Sequence, residues 1–387
     1  MPVTTTVSGV QYSGIWSLAG QANAIAAGTW PSQPANHLYV WGSGALGQLG
    51  LGNTTSYSSP KQLGSLTTWL KLSGGQYFSM ATKTDGTLWS WGKNDKGQLG
   101  LGNTTYYSSP KQIGALTTWL SIACGGYHTL AIKTDGTLWS WGRSENYGQL
   151  GLGNKTNYSS PKQIGSLTTW AAISGGGETS MAIKTDGTLW TWGSNTNGQL
   201  GLGVWPTNYS SPMQVGSLTN WSKPAVGLVN SGAIKTNGTI WSWGLGTSGA
   251  NGIGNTTDYS SPKQIGALTN WSSLQMGIRS TGSIKTDGTL WVWGYGAQGQ
   301  LGQGNTTDQS SPVQVGSLTN WSQIQLFWTS MRSVKTDGTL WVWGSNYYGQ
   351  LGLGNTAYKS SPTQVGALTT WINVASGKYN ALAIAIT

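Results

Sequence analysis

The chain has little charge, one cysteine, two histidines and two phenylalanines. Only 8% of its 387 residues are charged. Helix faces kept in water need Lys and Glu on their outer sides, so composition excludes a fold built mainly from helices. The polar surface must come from Thr, Ser, Asn, Gln and backbone, which suits short strands and turns. A single cysteine, Cys124, excludes an intrachain disulfide, and beside two glycines it reads as a small packed residue. His37, His128 and that one thiol make no metal-ligand pattern, so no metal or cofactor is expected. The two glutamates, Glu145 and Glu178, and the turn-bound aspartates form no carboxylate pair suited to acid–base work. Walker A is absent, and the Gly-rich stretches recur as turns. The expectation is a protein that is not an enzyme. No apolar run reaches the length of a membrane span. The opening "MPVTTTVSGVQYSG" has neither a basic n-region nor an apolar h-region, so no Sec signal is expected.

What is abundant is Gly, at 60 residues, and Trp, at 24. The pair Trp-x-Trp-Gly, with Tyr39-x-Trp41-Gly42 as its variant, places its second Trp at 41, 91, 141, 192, 243, 293 and 343. A period near 50 carrying several short strands implies a propeller blade. One unit reads in order. "TTWLSIACGG" and "YHTLAIKT" are two strands, and Asp135-Gly136 predicts a type I′ hairpin. "TLWSWG" is a third strand with Trp139 and Trp141 on one face. "GQLGLGN" makes a compact turn that sends a Leu inward. "YYSSPKQIG" is an outer edge strand, where Pro needs no N–H partner. The last segment, "YNALAIAIT", matches "YHTLAIKTD" and lacks the continuation "GTLWSWG". Asn36–Gly42, "NHLYVWG", supplies it. The fold class is therefore all-β: a seven-bladed β-propeller with four-stranded blades. Its ring closes by pairing a strand near 37–42 with one near 380–387. Residues 36–387 form the propeller and residues 1–35 an arm.

The stretches "LWSWGKNDKGQLGLGN" at 88–103 and "GYHTLAIKTDG" at 126–136, with their copies, resemble the regulator of chromosome condensation family. GQLG stands in six of seven units, and "GANG" at 249–252 replaces it in the other. The resemblance covers about nine-tenths of the chain. It implies the propeller fold and assigns His128 to a structural place in the repeat. The founder's nucleotide-exchange activity is not carried over, because no inserted wedge or acidic loop interrupts these repeats.

The units are near-copies except in three windows. The first is a triad before the "AIKTDG" strand, from which Tyr77, Phe78, Tyr127, His128, Glu178, Asn230, Arg279, Trp328, Tyr379 and Asn380 are the candidate ligand-binding residues. In a ring these converge on one rim, where aromatics stack on a glycan and amides hydrogen-bond to it. Neutral drift in tolerant loops explains the same variation. The second window follows Trp-Gly, at Lys93–Lys96, Arg143–Tyr147 and Ser345–Tyr348; the third holds Trp205-Pro206.

Net charge is +10. Six lysines (83, 133, 184, 235, 285, 335) lie in repeated turns, five with Asp two residues on and the fourth with Asn237. Four more, Lys61, Lys111, Lys162 and Lys263, recur in "SSPKQ". The excess is spread, not gathered into a run, so nucleic acid is not an expected partner. Salt-sensitive binding to an anionic polymer would be its signature.

The arm, "YSGIWSLAGQANAIAAGTWP", predicts a short helix capped by Ser17 and ended by Gly28 and Pro31. Trp16, Leu18, Ile25 and Trp30 are the candidate assembly residues, in an arm that either plugs the ring or docks it. The stretch is similar to a segment of bacteriophage tail-fibre and structural proteins. That implies a virion component, made in a host cytoplasm, joined through its arm to other virion proteins and showing its ring to a host-surface glycan or protein, possible as a homo-oligomer. A bacterial protein–protein interaction module, in a bacterial cytoplasm, is the alternative.

Overall fold

A computed structural model describes residues 5–7, 10–12 and 35–386. The helix expected in the arm, with Trp16, Leu18, Ile25 and Trp30, lies outside these residues. Thr5–Val7 and Val10–Tyr12 pair antiparallel, with Val7 opposite Val10.

From Asn36 the strands form seven four-stranded antiparallel sheets. One blade runs Trp119–Cys124, His128–Lys133, Leu138–Gly142 and Tyr158–Gln163 from the inner strand to the outer. The second strand is buried at all six positions, because it is covered on both faces by neighbouring blades. Phe78, Met80, Leu88 and Leu99 of one blade pack with Trp119, Ala131 and Trp141 of the next. The outer strand "YSSPKQ" is half-exposed and paired on one side only, as Pro requires.

The ring closes as the sequence predicts. Asn380–Ile386 lies between Trp371–Ser376 and Asn36–Gly42, and pairs with the latter from Asn36↔Ile386 to Gly42↔Asn380. A second tie runs around the ring. The buried Trp of each unit points its Nε1 at the carbonyl of the Gln in the preceding GQLG: Trp141 to Gln98 (3.0 Å), Trp192 to Gln149 (2.9 Å) and, across the closure, Trp41 to Gln350 (2.9 Å). The "GANG" unit breaks this series. Ala250 stands where Gln does elsewhere, and the Trp293 Nε1 has no partner. The close approach explains one glycine: Gly100 sits at φ +74°, and a Cβ there would lie 2.7 Å from the Trp141 Nε1.

In six blades the Trp at the start of the unit meets both tryptophans of its Trp-x-Trp pair edge-on, and in the composite blade Trp371 meets Tyr39 and Trp41. Trp119 lies 6.3 Å from Trp139 and 5.9 Å from Trp141, confirming that those two share a face. The plug is Leu99, fully buried, with its N–H donating to the Asn94 Oδ1 (2.9 Å). Cys124 is buried, and burial pushes its thiol up to about 12, so it is a packed residue.

The hairpin differs from expectation. Gly136 N–H bonds the Lys133 carbonyl, Lys133 N–H bonds the Thr137 carbonyl, and only Gly136 has positive φ (+76°). This is a type I turn closed by a left-handed Gly, not type I′. Asp135 keeps negative φ because its Oδ1 accepts from the Thr137 N–H (2.9 Å) and Oγ1 (2.6 Å).

Candidate functional site

The triads lie between the first and second strands of every blade, at one end of the ring. Backbone bonds join neighbouring triad loops: Lys378 N to Gly75 O, Gln76 N to Gly126 O, Gly126 N to Gly176 O, Gly177 N to Gly227 O, Leu228 N to Gly277 O and Ile278 N to Trp328 O, all 2.9–3.3 Å. The junction from Trp328 to Lys378 has no such bond among the described residues. There the Lys378 Nζ lies 3.7 Å from the Trp328 ring centre instead. Phe327 and Trp328 replace the usual Gly-x at this point, and Trp328 is held at φ +61°. Arg279 is also left-handed, at φ +116°. Bulky residues keep such angles only where surrounding structure enforces them, and such positions cluster at ligand sites. The loops enclose a concavity lined by Gln76, Tyr127, Glu178, Leu228, Ile278 and Trp328, among others.

The structure brings six of the ten sequence candidates to this rim. Tyr77, Tyr127, Glu178, Trp328 and Tyr379 are half-buried, and Arg279 is exposed. Phe78, His128, Asn230 and Asn380 are corrected: each is fully buried between blades. They open the second strand, so their side chains turn into the next blade. His128 Nε2 meets the Ser180 Oγ (2.9 Å), and Asn380 donates to the Ser79 Oγ (3.1 Å).

The triads alone do not make the site. In every unit the residue after Trp-Gly donates its N–H to the middle carbonyl of the triad, as Lys93 does to Tyr77 and Arg143 to Tyr127. This bond sets the second variable window beside the first. The result is an arc of aromatic rings and cations. Tyr347, Tyr348 and Tyr379 follow at 4.8 and 4.5 Å, and Tyr379 meets Tyr77 at 5.6 Å. Lys93 lies between Tyr77 and Tyr127 (5.5 and 5.1 Å), and Arg143 caps Tyr127 (5.5 Å). The arc ends at Glu178, which accepts from the Arg143 Nη1 (3.0 Å) and Gln149 Nε2 (2.6 Å). Burial raises the Glu178 carboxyl above its usual range, with Arg143 opposing. Arg143 also contacts Glu145, which meets Lys96 at 2.9 Å. Lys93, Arg143, Tyr348 and Lys378 are site residues that the sequence candidates lacked; the second window was the signal for the first three, and Lys378 opens a triad of the first. Trp205, in the third window, is exposed and donates its Nε1 to the Thr196 carbonyl of its own loop. Among the described residues, no cluster of three His, Cys, Asp or Glu side chains could hold a metal. No helix is long and apolar enough to cross a membrane.

His128 carries a pH prediction. Burial pushes its imidazole down to about 3, from an ordinary value near 6.5. The unfolded chain takes up a proton below about pH 6.5 while the folded chain does not, so stability falls with pH through that window. At pH 5 the cost is about 2 kcal/mol. Urea unfolding at pH 7.5 and pH 5 measures it. His128→Asn, the residue that Asn230 and Asn380 supply elsewhere, should remove most of the acid loss; an unchanged pH dependence refutes the assignment.

The family model described as "Regulator of chromosome condensation (RCC1) repeat" matches residues 36–82, 85–132, 135–183, 186–233, 287–326 and 337–384. Over 114 residues the chain is 34% identical to the Ultraviolet-B receptor UVR8 of Arabidopsis thaliana, covering 28% of this chain and 26% of that protein. The chain thus spans about a quarter of this curated relative. Among solved structures, Prp20p of Saccharomyces cerevisiae aligns with a TM-score of 0.83 at 19% identity, covering 92% of each chain. Human WBSCR16 aligns at 0.81 and 22% identity, covering 91% of this chain and 99% of that one.

Proposed function

This chain belongs to the Regulator of chromosome condensation (RCC1) repeat family, and from that premise we propose that it is a non-enzymatic binding protein working through the aromatic and basic arc of its triad face. The proposed ligand is a host-surface glycan. One observation carries this reading: five tyrosines and a tryptophan, half-buried or exposed, are held in a chain with Lys93, Arg143 and Lys378 at one mouth of the ring. Sugar C–H faces stack on such rings, and hydroxyls bond to the ammonium, guanidinium and amide donors between them. Glycan-array binding with the full chain is the test. Tyr348→Ala/Tyr379→Ala is expected to lose at least tenfold in affinity, about 1.4 kcal/mol. A glycan bound equally well by this variant would place recognition elsewhere.

The finer reading is a bacteriophage virion protein of tail-fibre or adhesin type, with the arm docking the ring on other virion proteins. The likeness of the "GIWSL…AAGTWP" stretch and the Thr, Asn and Gly-rich exterior support it. Density-gradient fractionation of a native lysate with peptide mass spectrometry should find the chain banding with particles. Recovery only from the soluble fraction would remove the virion role and leave the arc's binding role standing.

A second reading is a protein-interaction module. The solved Prp20p was reported with its binding properties to Gsp1p and histones, so this scaffold carries protein partners in at least one relative. Affinity capture blocked by the same arc variant would favour it over a glycan.

A further inference from the structure

The turn lysines are not used by the triad face. Each ends the second strand of its blade, six or so residues from the triad and at the opposite end of the ring. There a cleft opens between neighbouring blades. Around Lys133 it is lined by Leu101, Leu116, Trp119, Trp139 and Pro161, with a cavity volume of about 410 Å³. Equivalent clefts surround Lys184, of about 380 Å³, and Lys285, of about 360 Å³. These volumes suit a small organic ligand.

Each lysine is stapled under aromatic rings. Nζ lies 3.7 Å from the Trp139 ring centre and 5.1 Å from Trp119 in one unit, and 3.6 and 4.8 Å from Trp291 and Trp271 in another. The same pair recurs at Lys83, Lys184, Lys235 and Lys335. Lys133 and Lys285 are 9% and 6% exposed. A cation over a ring uses one side of the ammonium. Its remaining N–H groups face the open cleft and have no carboxylate or other hydrogen-bond partner among the described residues. The turn aspartate is diverted. Asp135 Oδ1 accepts twice from Thr137, whose Oγ1 in turn accepts from the Trp139 Nε1 (2.8 Å). Asp287, Thr289 and Trp291 repeat the relay. So an ammonium on a buried stem faces a mainly apolar cleft, and the turn carboxylate nearest to it is bound to Thr instead.

We infer that these clefts are binding sites for small organic carboxylates with an apolar body. The carboxylate takes the free side of the ammonium, and the body lies between the exposed Leu of the preceding blade and the Pro of the lysine's own outer strand. One ring carries six such lysines. The composite blade is a built-in control, because Ala385 pairs with Trp371 where Lys133 pairs with Trp119, and Tyr39 replaces the first Trp. Lys235 is the contrasting case: Asn237 replaces the turn carboxylate, so that site lacks the repulsion an anion meets elsewhere.

The probe is 4-bromobenzoate with the full chain. Crystals soaked in it should show anomalous bromine density beside the turn lysines, strongest at Lys235, and none in the composite blade. 4-Bromobenzamide, the uncharged analogue, should leave the clefts empty. In solution, saturable line broadening of 4-fluorobenzoate should report about six sites per chain, falling to about three in Lys133→Gln/Lys235→Gln/Lys285→Gln. Equal density from the amide, equal occupancy of the composite blade, binding at crystal concentration only, or density confined to the triad face would each overturn the proposal. The soaks need no variant to fold. They are independent of the glycan assay, since the arc and the clefts lie at opposite ends of the ring.

Discussion

Deleting residues 380–387 is expected to abolish the cooperative native state. That strand is the second of the composite blade, hydrogen-bonded to Trp371–Ser376 on one side and to Asn36–Gly42 on the other. Its alternate side chains enter two cores. Leu382 and Ile384 pack with Leu38, Val40 and Trp91, while Ala381, Ala383 and Ala385 pack with Trp41, Leu340 and Val342. Each buried Leu or Ile contributes about 1.5–3 kcal/mol. The deletion also removes two ladders and leaves open edges at Trp371–Ser376 and Asn36–Gly42. The summed loss is comparable with the ~5–15 kcal/mol that holds a typical domain together. Tryptophan fluorescence and circular dichroism during urea unfolding should show no native baseline. A circular permutant that joins 387 to 36 by a short linker and opens the exposed 65–67 loop is expected to fold, because every strand keeps its neighbours. A truncated chain unfolding at the wild-type urea midpoint would show that the seam does not hold the ring.

The ring was readable because its determinants are local and repeated. Trp spacing, the GQLG turn and the outer Pro each recur in nearly every unit, and the closure follows from aligning two incomplete copies. Two features were not readable, for physical reasons. Asp135-Gly136 favours type I′ as a dipeptide, but the Thr two residues beyond Asp135 binds its carboxylate and keeps it at negative φ. The triads look like loops, yet their third residue already belongs to a strand covered on both faces, so Phe78, His128, Asn230 and Asn380 are core. The arc itself depends on contacts between units, such as Lys93 with Tyr127 and Tyr379 with Tyr77. No single repeat contains them, and only the ring brings the two variable windows together.

Arg332→Leu is expected to stabilise the protein by about 1–4 kcal/mol, the range found when buried ion pairs yield to well-packed apolar residues. Arg332 is fully buried between blades, at the position that Met80, Leu130, Met181 and Leu382 occupy in other units. It has no carboxylate partner among the described residues. Burial lowers its guanidinium to about 9, so it stays charged at neutral pH and its desolvation is not offset by an anion. Its Nη1 reaches the Ser376 Oγ (2.6 Å), its Nη2 the Gln350 carbonyl (2.8 Å), and its Nε has no partner. Neither acceptor is orphaned by the change. The Gln350 carbonyl still accepts from the Trp41 Nε1, and Ser376 lines the central channel. The other units explain why the arginine is tolerated. In three of them a hydroxyl fills the second lone pair of the Gln carbonyl: Ser79 at Gln48 (2.9 Å), Thr129 at Gln98 (3.1 Å) and Ser180 at Gln149 (2.8 Å). Ala381 holds that place at the seam, and Arg332 supplies the missing donor from the neighbouring blade. Arg332→Leu/Ala381→Ser restores the ordinary pattern at both positions and should have the highest urea midpoint of the three chains. A midpoint below wild type for both variants would mean that the guanidinium binds the two blades more strongly than its burial costs.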